Sequence, residues 1–282
     1  MKNQIDLRKV FVQLLFSLSI GQVALRVGDL IALNANIENY FYSYSHLFLC
    51  VFIITTSWVG WYNSKSSLLS DTINNVISWQ TLLLFVDLYL VICYFIIVRG
   101  AETPLANQFE IPTPSSEIEV FWSMVIFISY FFWDIFTKIY DFNYHFNSNS
   151  SKYERIRTFQ GFIILKRIWP TFICSIISIF IYINMSNETD KLKVSIIDFI
   201  LLSLFLIFRG WKQEVKKEYK LHENQISISQ KDKLKSENQG FNFPINVLEG
   251  NGIYRIKRFF VKVFPSILFI IFIILYYKAD KL

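Results

Sequence analysis

The sequence predicts an all-α integral membrane protein, a polytopic bundle of about seven transmembrane helices with a small cytoplasmic loop region. Three observations carry that prediction. Hydrophobic residues make up 53% of the 282-residue chain and charged residues only 18%, less charge than a soluble domain of this length carries. The apolar residues gather into blocks of about 20, enough to cross a ~30 Å hydrocarbon core at ~1.5 Å rise per helical residue. Lys and Arg are rich in one connection and poor in the next, which is the positive-inside pattern.

The expected spans are 10–34, 42–62, 76–98, 120–140, 164–185, 194–211 and 259–278. The first is diluted by Gln13, Gln22, Arg26 and Asp29, and Lys2, Arg8 and Lys9 before it also suit a signal peptide. A retained span is the better reading, because no small-residue cleavage site separates the apolar run from Arg26. The same three cations set the amino terminus inside, since 34–41 contains neither Lys nor Arg. Lys65, then Lys152, Arg155 and Arg157, then Arg209, Lys212, Lys216, Lys217 and Lys220 mark the later inner connections. Between spans three and four, 99–119 has Arg99 at its edge, four Glu, and Pro104, Pro112 and Pro114, so it reads as an outer loop. Lys191 and Lys193 fit this topology least well. Trp58, Trp61 and Tyr62 at one end of span two, and Tyr276 and Tyr277 at the end of span seven, suit the aromatic preference for the membrane interface. Pro170 and Pro265 fall early in spans five and seven, where proline removes a helix hydrogen bond and permits a kink.

Three parts follow: a six-span membrane domain over 1–211, a basic cytoplasmic loop with an amphipathic lead-in over 212–258, and a seventh span with a short outer tail over 259–282. Lys212–Glu223 is rich in helix formers and is expected to continue span six. Ile226–Ser229 and Phe241–Val247 alternate apolar with polar residues, the period of strands. Glu249, Gly250, Asn251 and Gly252 then supply turn chemistry. From Ile253, apolar residues recur at helical spacing among Arg255, Lys257 and Arg258, a basic face suited to anionic lipid headgroups or to a protein partner.

The ionisable residues inside spans are the candidate sites. Asp87 is the sole charge between Val76 and Val98. A carboxylate at the bilayer midplane costs ~3 kcal/mol on insertion scales, so it faces protein, a partner or water. At ~1.5 Å per residue, Asp29 lies ~8 Å below the outer face, Asp87 near mid-depth and Asp134 ~9 Å above the inner face. Such a ladder suits an ion or proton path. Arg26, three residues before Asp29, is the candidate counter-ion for Asp29 or Asp87. His46 and Asp198 sit close enough to the outer face for interfacial solvation to explain them. Trp58, Trp61, Tyr130 and Trp133 form a candidate aromatic cluster at an inner vestibule, and Gly60 permits close helix approach.

Several classes are disfavoured. Cys50, Cys93 and Cys174 lie singly in three spans, with no disulfide or zinc pattern, so neither a cofactor nor a metal site is expected. No Gly-x-Ser-x-Gly, His-Glu-x-x-His or P-loop occurs, and Gly28-Asp29 lacks the second glycine of an intramembrane aspartyl protease motif, so no catalytic residue is assigned. The net charge of +6 is placed in inner loops rather than on a nucleic-acid face, and no nucleic acid is expected. The expected function is an ion-conducting or permeability-altering membrane protein, a homo-oligomer regulated through its cytoplasmic loop. Two alternatives stand beside it: a proton-coupled secondary transporter, and a non-conducting subunit that recruits a cytoplasmic protein. A transporter is disfavoured by only nine Gly and no internal repeat. Richness in Lys, Asn, Ile and Phe suits an AT-rich bacterial gene of the kind found in mobile or defence-type loci, and hence a bacterial cytoplasmic membrane.

Overall fold

A computed structural model of the chain describes residues 7–32, 36–62, 78–102, 113–146, 154–236 and 252–279, with side chains over 10–32, 36–62, 78–102, 113–139, 168–213 and 263–279. Among the described residues every regular element is helical. The seven helices are α1 (Leu7–Ala32), α2 (Phe41–Tyr62), α3 (Trp79–Arg99), α4 (Glu117–Phe146), α5 (Glu154–Met185), α6 (Lys191–Ser236) and α7 (Gly252–Ala279). Five of them, α1 to α5, contain stretches long and apolar enough to cross a membrane.

Helices α2, α3, α4 and α6 pack in sequence around one interior. Helix α1 lies across α2 and α3, α5 lies across α4 and α6, and α7 packs on α6. In α1 the core-facing residues are Val12, Phe16, Ser19, Val23 and Leu30, a stripe at helical spacing, while Leu14, Leu18, Leu25 and Ile31 are exposed. Helix α6 differs: its apolar part, Val194 to Phe208, is buried almost throughout. A helix apolar on all sides belongs at the centre of a bundle, and neighbours α2, α4, α5 and α7 surround it. Outward-facing Phe85, Ile92, Phe132, Phe180, Ile183 and Ile270 give the bundle an apolar girdle far larger than a water-soluble monomer exposes.

Consecutive helices run antiparallel, as contacts at one end establish. Ser43 near the start of α2 donates to the Glu102 carbonyl after α3 at 2.5 Å. Ser116, just before α4, donates to the Met185 carbonyl at the end of α5 at 2.7 Å. Tyr276 near the end of α7 donates to Glu188, which also pairs with Lys193 at 3.4 Å. That pairing neutralises a lysine that suited the expected outer loop poorly.

Local signals set several helix starts. Ser78 Oγ accepts from the Thr81 N–H at 3.2 Å to cap α3, and Asp190 Oδ1 accepts from the Leu192 and Lys193 N–H groups, both at 3.0 Å, to cap α6. Helix α6 then continues through Lys212 and Glu223 to Ser236, as its helix formers imply. The strand expected at Ile226–Ser229 is corrected by the same helix. Four alternating residues do not outweigh helix propagation from a packed segment, which adds a hydrogen bond for each residue fixed. The second expected strand, Phe241–Val247, lies outside the described residues. The lead-in carrying Arg255, Lys257 and Arg258 is helical and continuous with α7. Pro170 and Pro265 both lie inside continuous helices.

Candidate functional site

The interior between α2, α3, α4 and α6 contains two polar layers. In the layer farther from the Gly100–Ser116 connection, Asp87 on α3 is only 4% exposed. Two indoles hold it: Trp133 Nε1 donates to Oδ1 at 2.9 Å and Trp61 Nε1 donates to Oδ2 at 3.3 Å. Phe16 of α1 packs near both Trp61 and Tyr94, closing the α1 side. Tyr94 and Tyr130 join hydroxyls at 2.9 Å, and Tyr130 also bonds Ser57. Arg209 on α6 reaches Tyr130 Oη at 3.4 Å, its guanidinium carbon 5.4 Å from the Tyr130 ring centre and 5.1 Å from that of Phe208. Gly60 makes this approach feasible, because a Cβ there would collide with the Arg209 guanidinium.

Asp134 directly follows Trp133 on α4 and points to a different set of partners. It is 1% exposed, forms an ion pair with Lys212 of α6, and lies 2.6 Å from Thr171 Oγ1 of α5. Its charge is matched inside the protein rather than offered to an open channel.

The candidate path residues thus separate. Asp87 and Asp134 face the interior, whereas Asp29 is on the periphery with its side chain 56% exposed. Arg26 pairs with Asp29 at 3.9 Å and reaches the Arg99 carbonyl at 3.4 Å. Arg99 is ~18 Å along α3 from Asp87, so Arg26 sits at a different level from that acid. Of the aromatic cluster, Trp61, Tyr130 and Trp133 meet around Asp87 and Ser57, while Trp58 is exposed on the outer surface of α2. The side chains of Arg255, Lys257 and Arg258 are outside those described.

The second polar layer is nearer the Gly100–Ser116 connection, and it corrects the interfacial reading of His46 and Asp198. Both are buried, at 0% and 1% exposure, and Glu119 beside them is at 0%. His46 Nδ1 is 3.8 Å from Glu119 Oε2, and Ser45 Oγ is 2.5 Å from Asp198 Oδ2. Composition alone puts Glu119 in the outer loop, where three prolines and four Glu cluster. Its signal was a helical one: α4 starts two residues earlier, and Glu119 then shares the inward face with Ser123, Ile126, Phe127 and Tyr130. By position along their helices, Cys50, Ile53, Phe127 and Phe205 lie between the two layers, with Phe127 and Phe205 stacked at 4.3 Å. Among the described residues no group of His, Cys, Asp and Glu has the arrangement to hold a metal ion.

No protein-family model matches this chain, and neither the curated proteins nor the solved structures compared with it give a match.

Proposed function

We propose that the chain is an integral membrane protein that passes cations, specifically protons, through the interior of the α2–α3–α4–α6 core. The observation that carries this reading is Asp87, a buried carboxylate held by two indole N–H groups in the same interior layer as a Tyr94–Tyr130–Ser57 hydrogen-bonded chain. Intramembrane acids in such settings mark ion pathways and proton relays. An interior filled by Phe127, Phe205 and Phe208 favours a proton, which moves between hydrogen-bonded groups, over a metal cation that must replace its hydration shell with ligands. In the same reading the amino terminus is inside a bacterial cytoplasmic membrane, copies associate as a homo-oligomer, and the 212–258 region regulates the path.

A specific observation also favours the recruiting-subunit alternative. Helix α6 runs 46 residues, so its basic part beyond Trp211 projects past the apolar core as a ready docking element. Deleting 231–251 separates the two readings. Loss of a bound cytoplasmic protein with proton permeability unchanged from empty vesicles supports recruitment, whereas proton permeability that depends on Asp87 supports conduction.

A further inference from the structure

The Glu119–His46–Asp198 layer belongs to no motif and has no role in the Asp87 chain described above. Its simplest structural explanation would be helix capping, since Ser116 and Glu119 have the Ser-x-x-Glu spacing of a capping box. The geometry excludes that role. The Ser116 N–H donates to the Glu188 carbonyl at 3.1 Å and is not available to Glu119. Both Glu119 carboxyl oxygens, His46 Nδ1 and Asp198 Oδ1 are buried with no hydrogen-bond partner among the described residues.

The surrounding charges deepen the imbalance. Helix α2 contributes Tyr42, His46 and Cys50, α4 contributes Glu119, α6 contributes Asp198, and the segment after α3 contributes Glu102. Glu119 interacts electrostatically with both Asp198 and Glu102. Among the described residues no Lys or Arg forms an ion pair with Glu119 or Asp198, and Lys193, the nearest lysine in sequence to Asp198, pairs with Glu188. Two neighbouring buried carboxylates without a cation cannot both remain ionised, whereas a shared proton removes one charge and supplies a donor.

We propose that Glu119, His46 and Asp198 form a proton-binding site at the end of the core nearest the Gly100–Ser116 connection. The hydrogen-bond pattern says where protons sit. His46 Nε2 is 2.8 Å from the Ile97 carbonyl, an obligate acceptor, so Nε2 carries hydrogen and Nδ1 of the neutral ring is an acceptor facing Glu119. Ser45 Oγ lies 2.9 Å from the Tyr42 carbonyl as well as 2.5 Å from Asp198. One hydroxyl proton cannot serve both fully, and a proton on Asp198 satisfies both contacts.

Transfer is a balanced step. The Glu119 Oε2–H bond breaks, its electron pair stays on the carboxylate, and the proton forms a bond with the Nδ1 lone pair of His46. The resulting imidazolium lies beside Glu119 carboxylate. The 3.8 Å gap must shorten by ~1 Å to reach hydrogen-bond distance, a movement within the range of side-chain rearrangement. This site extends the path proposed above and rests on that reading only for transport; proton binding itself stands apart from it.

Infrared spectroscopy of the full-length protein in lipid nanodiscs, titrated from acid to alkaline pH in H2O and D2O, tests the site. A protonated-carboxyl C=O absorption at neutral pH, sensitive to D2O and reduced in both Glu119→Gln and Asp198→Asn, is the expected result. Retention of helicity and of elution position verifies that each variant is folded, and the wild-type titration requires no variant at all. Absence of that absorption in wild type, or its full persistence in both folded variants, overturns the proposal. Proton binding without flux would refute conduction and leave this site standing, whereas Asp87-dependent flux without the absorption would do the reverse.

Discussion

Asp87 was legible as an anomaly from its neighbours alone, because one charge in 23 otherwise uncharged residues demands an explanation. Its partners were not. Trp61 and Trp133 come from two other helices, and an aromatic ring at a helix end suits the lipid interface equally well in sequence. The expected counter-ion, Arg26, goes to Asp29 because both project from one face of α1. Asp134 and Lys212 make the opposite case, two charges read separately that the fold joins. Lys212→Met should leave a buried carboxylate unpaired and cost about 3 kcal/mol, whereas adding Asp134→Asn should restore much of the loss. Equilibrium unfolding of the single and double variants in mixed micelles measures the difference. Glu102 supplies a pH test outside the spans: burial raises its carboxyl above the usual range, opposed by the Ser115 N–H. The folded protein therefore binds that proton more tightly than the unfolded chain, and the associated stability is lost as pH rises through the folded value. Glu102→Gln should flatten this part of a thermal stability profile against pH.

Helix existence was readable throughout, since each block of apolar residues lies in a helix; the ends of α1, α2 and α3 fall within a few residues of those expected, whereas α4, α5, α6 and α7 each run well past the apolar block at one end. Boundaries failed where local composition misled. The acidic, proline-rich approach to α4 hid the fact that Glu117 and Glu119 already lie in its first turn, a favourable place for acids beside a helix amino terminus. Four alternating residues at Ile226–Ser229 were overridden by the long helix running through them. Where one side chain caps an element, the dependence is simple: Asp190→Ala should destabilise α6 by about 1 kcal/mol, visible as a lowered thermal midpoint. Phe127 tests the apolar layer. Phe127→Ala should cost about 3 kcal/mol, and in a reconstituted bilayer it should raise the proton leak by opening space between the two polar layers. An unchanged or reduced leak from correctly folded protein would count against that layer as a barrier.

At the scale of the molecule, the seven antiparallel helices place the start of α1 and the end of α7 at opposite ends of the bundle. With the amino terminus inside, as proposed, cysteine labelling from either side of sealed vesicles should reach residues introduced near position 36 from outside and near position 220 from inside. The four-helix interior was the least legible feature, because no local pattern reports which helices meet at a centre. Only the contacts show that α6, whose expected apolar span is the shortest of the seven, is the central one. Conduction along this interior is tested most directly by proton flux in proteoliposomes carrying wild-type protein or Asp87→Asn at matched density. Wild type should dissipate an imposed pH gradient faster than empty vesicles, and Asp87→Asn should return the rate to that of empty vesicles. Equal rates for correctly oriented wild type and empty vesicles, with or without an applied membrane potential, would contradict proton conduction.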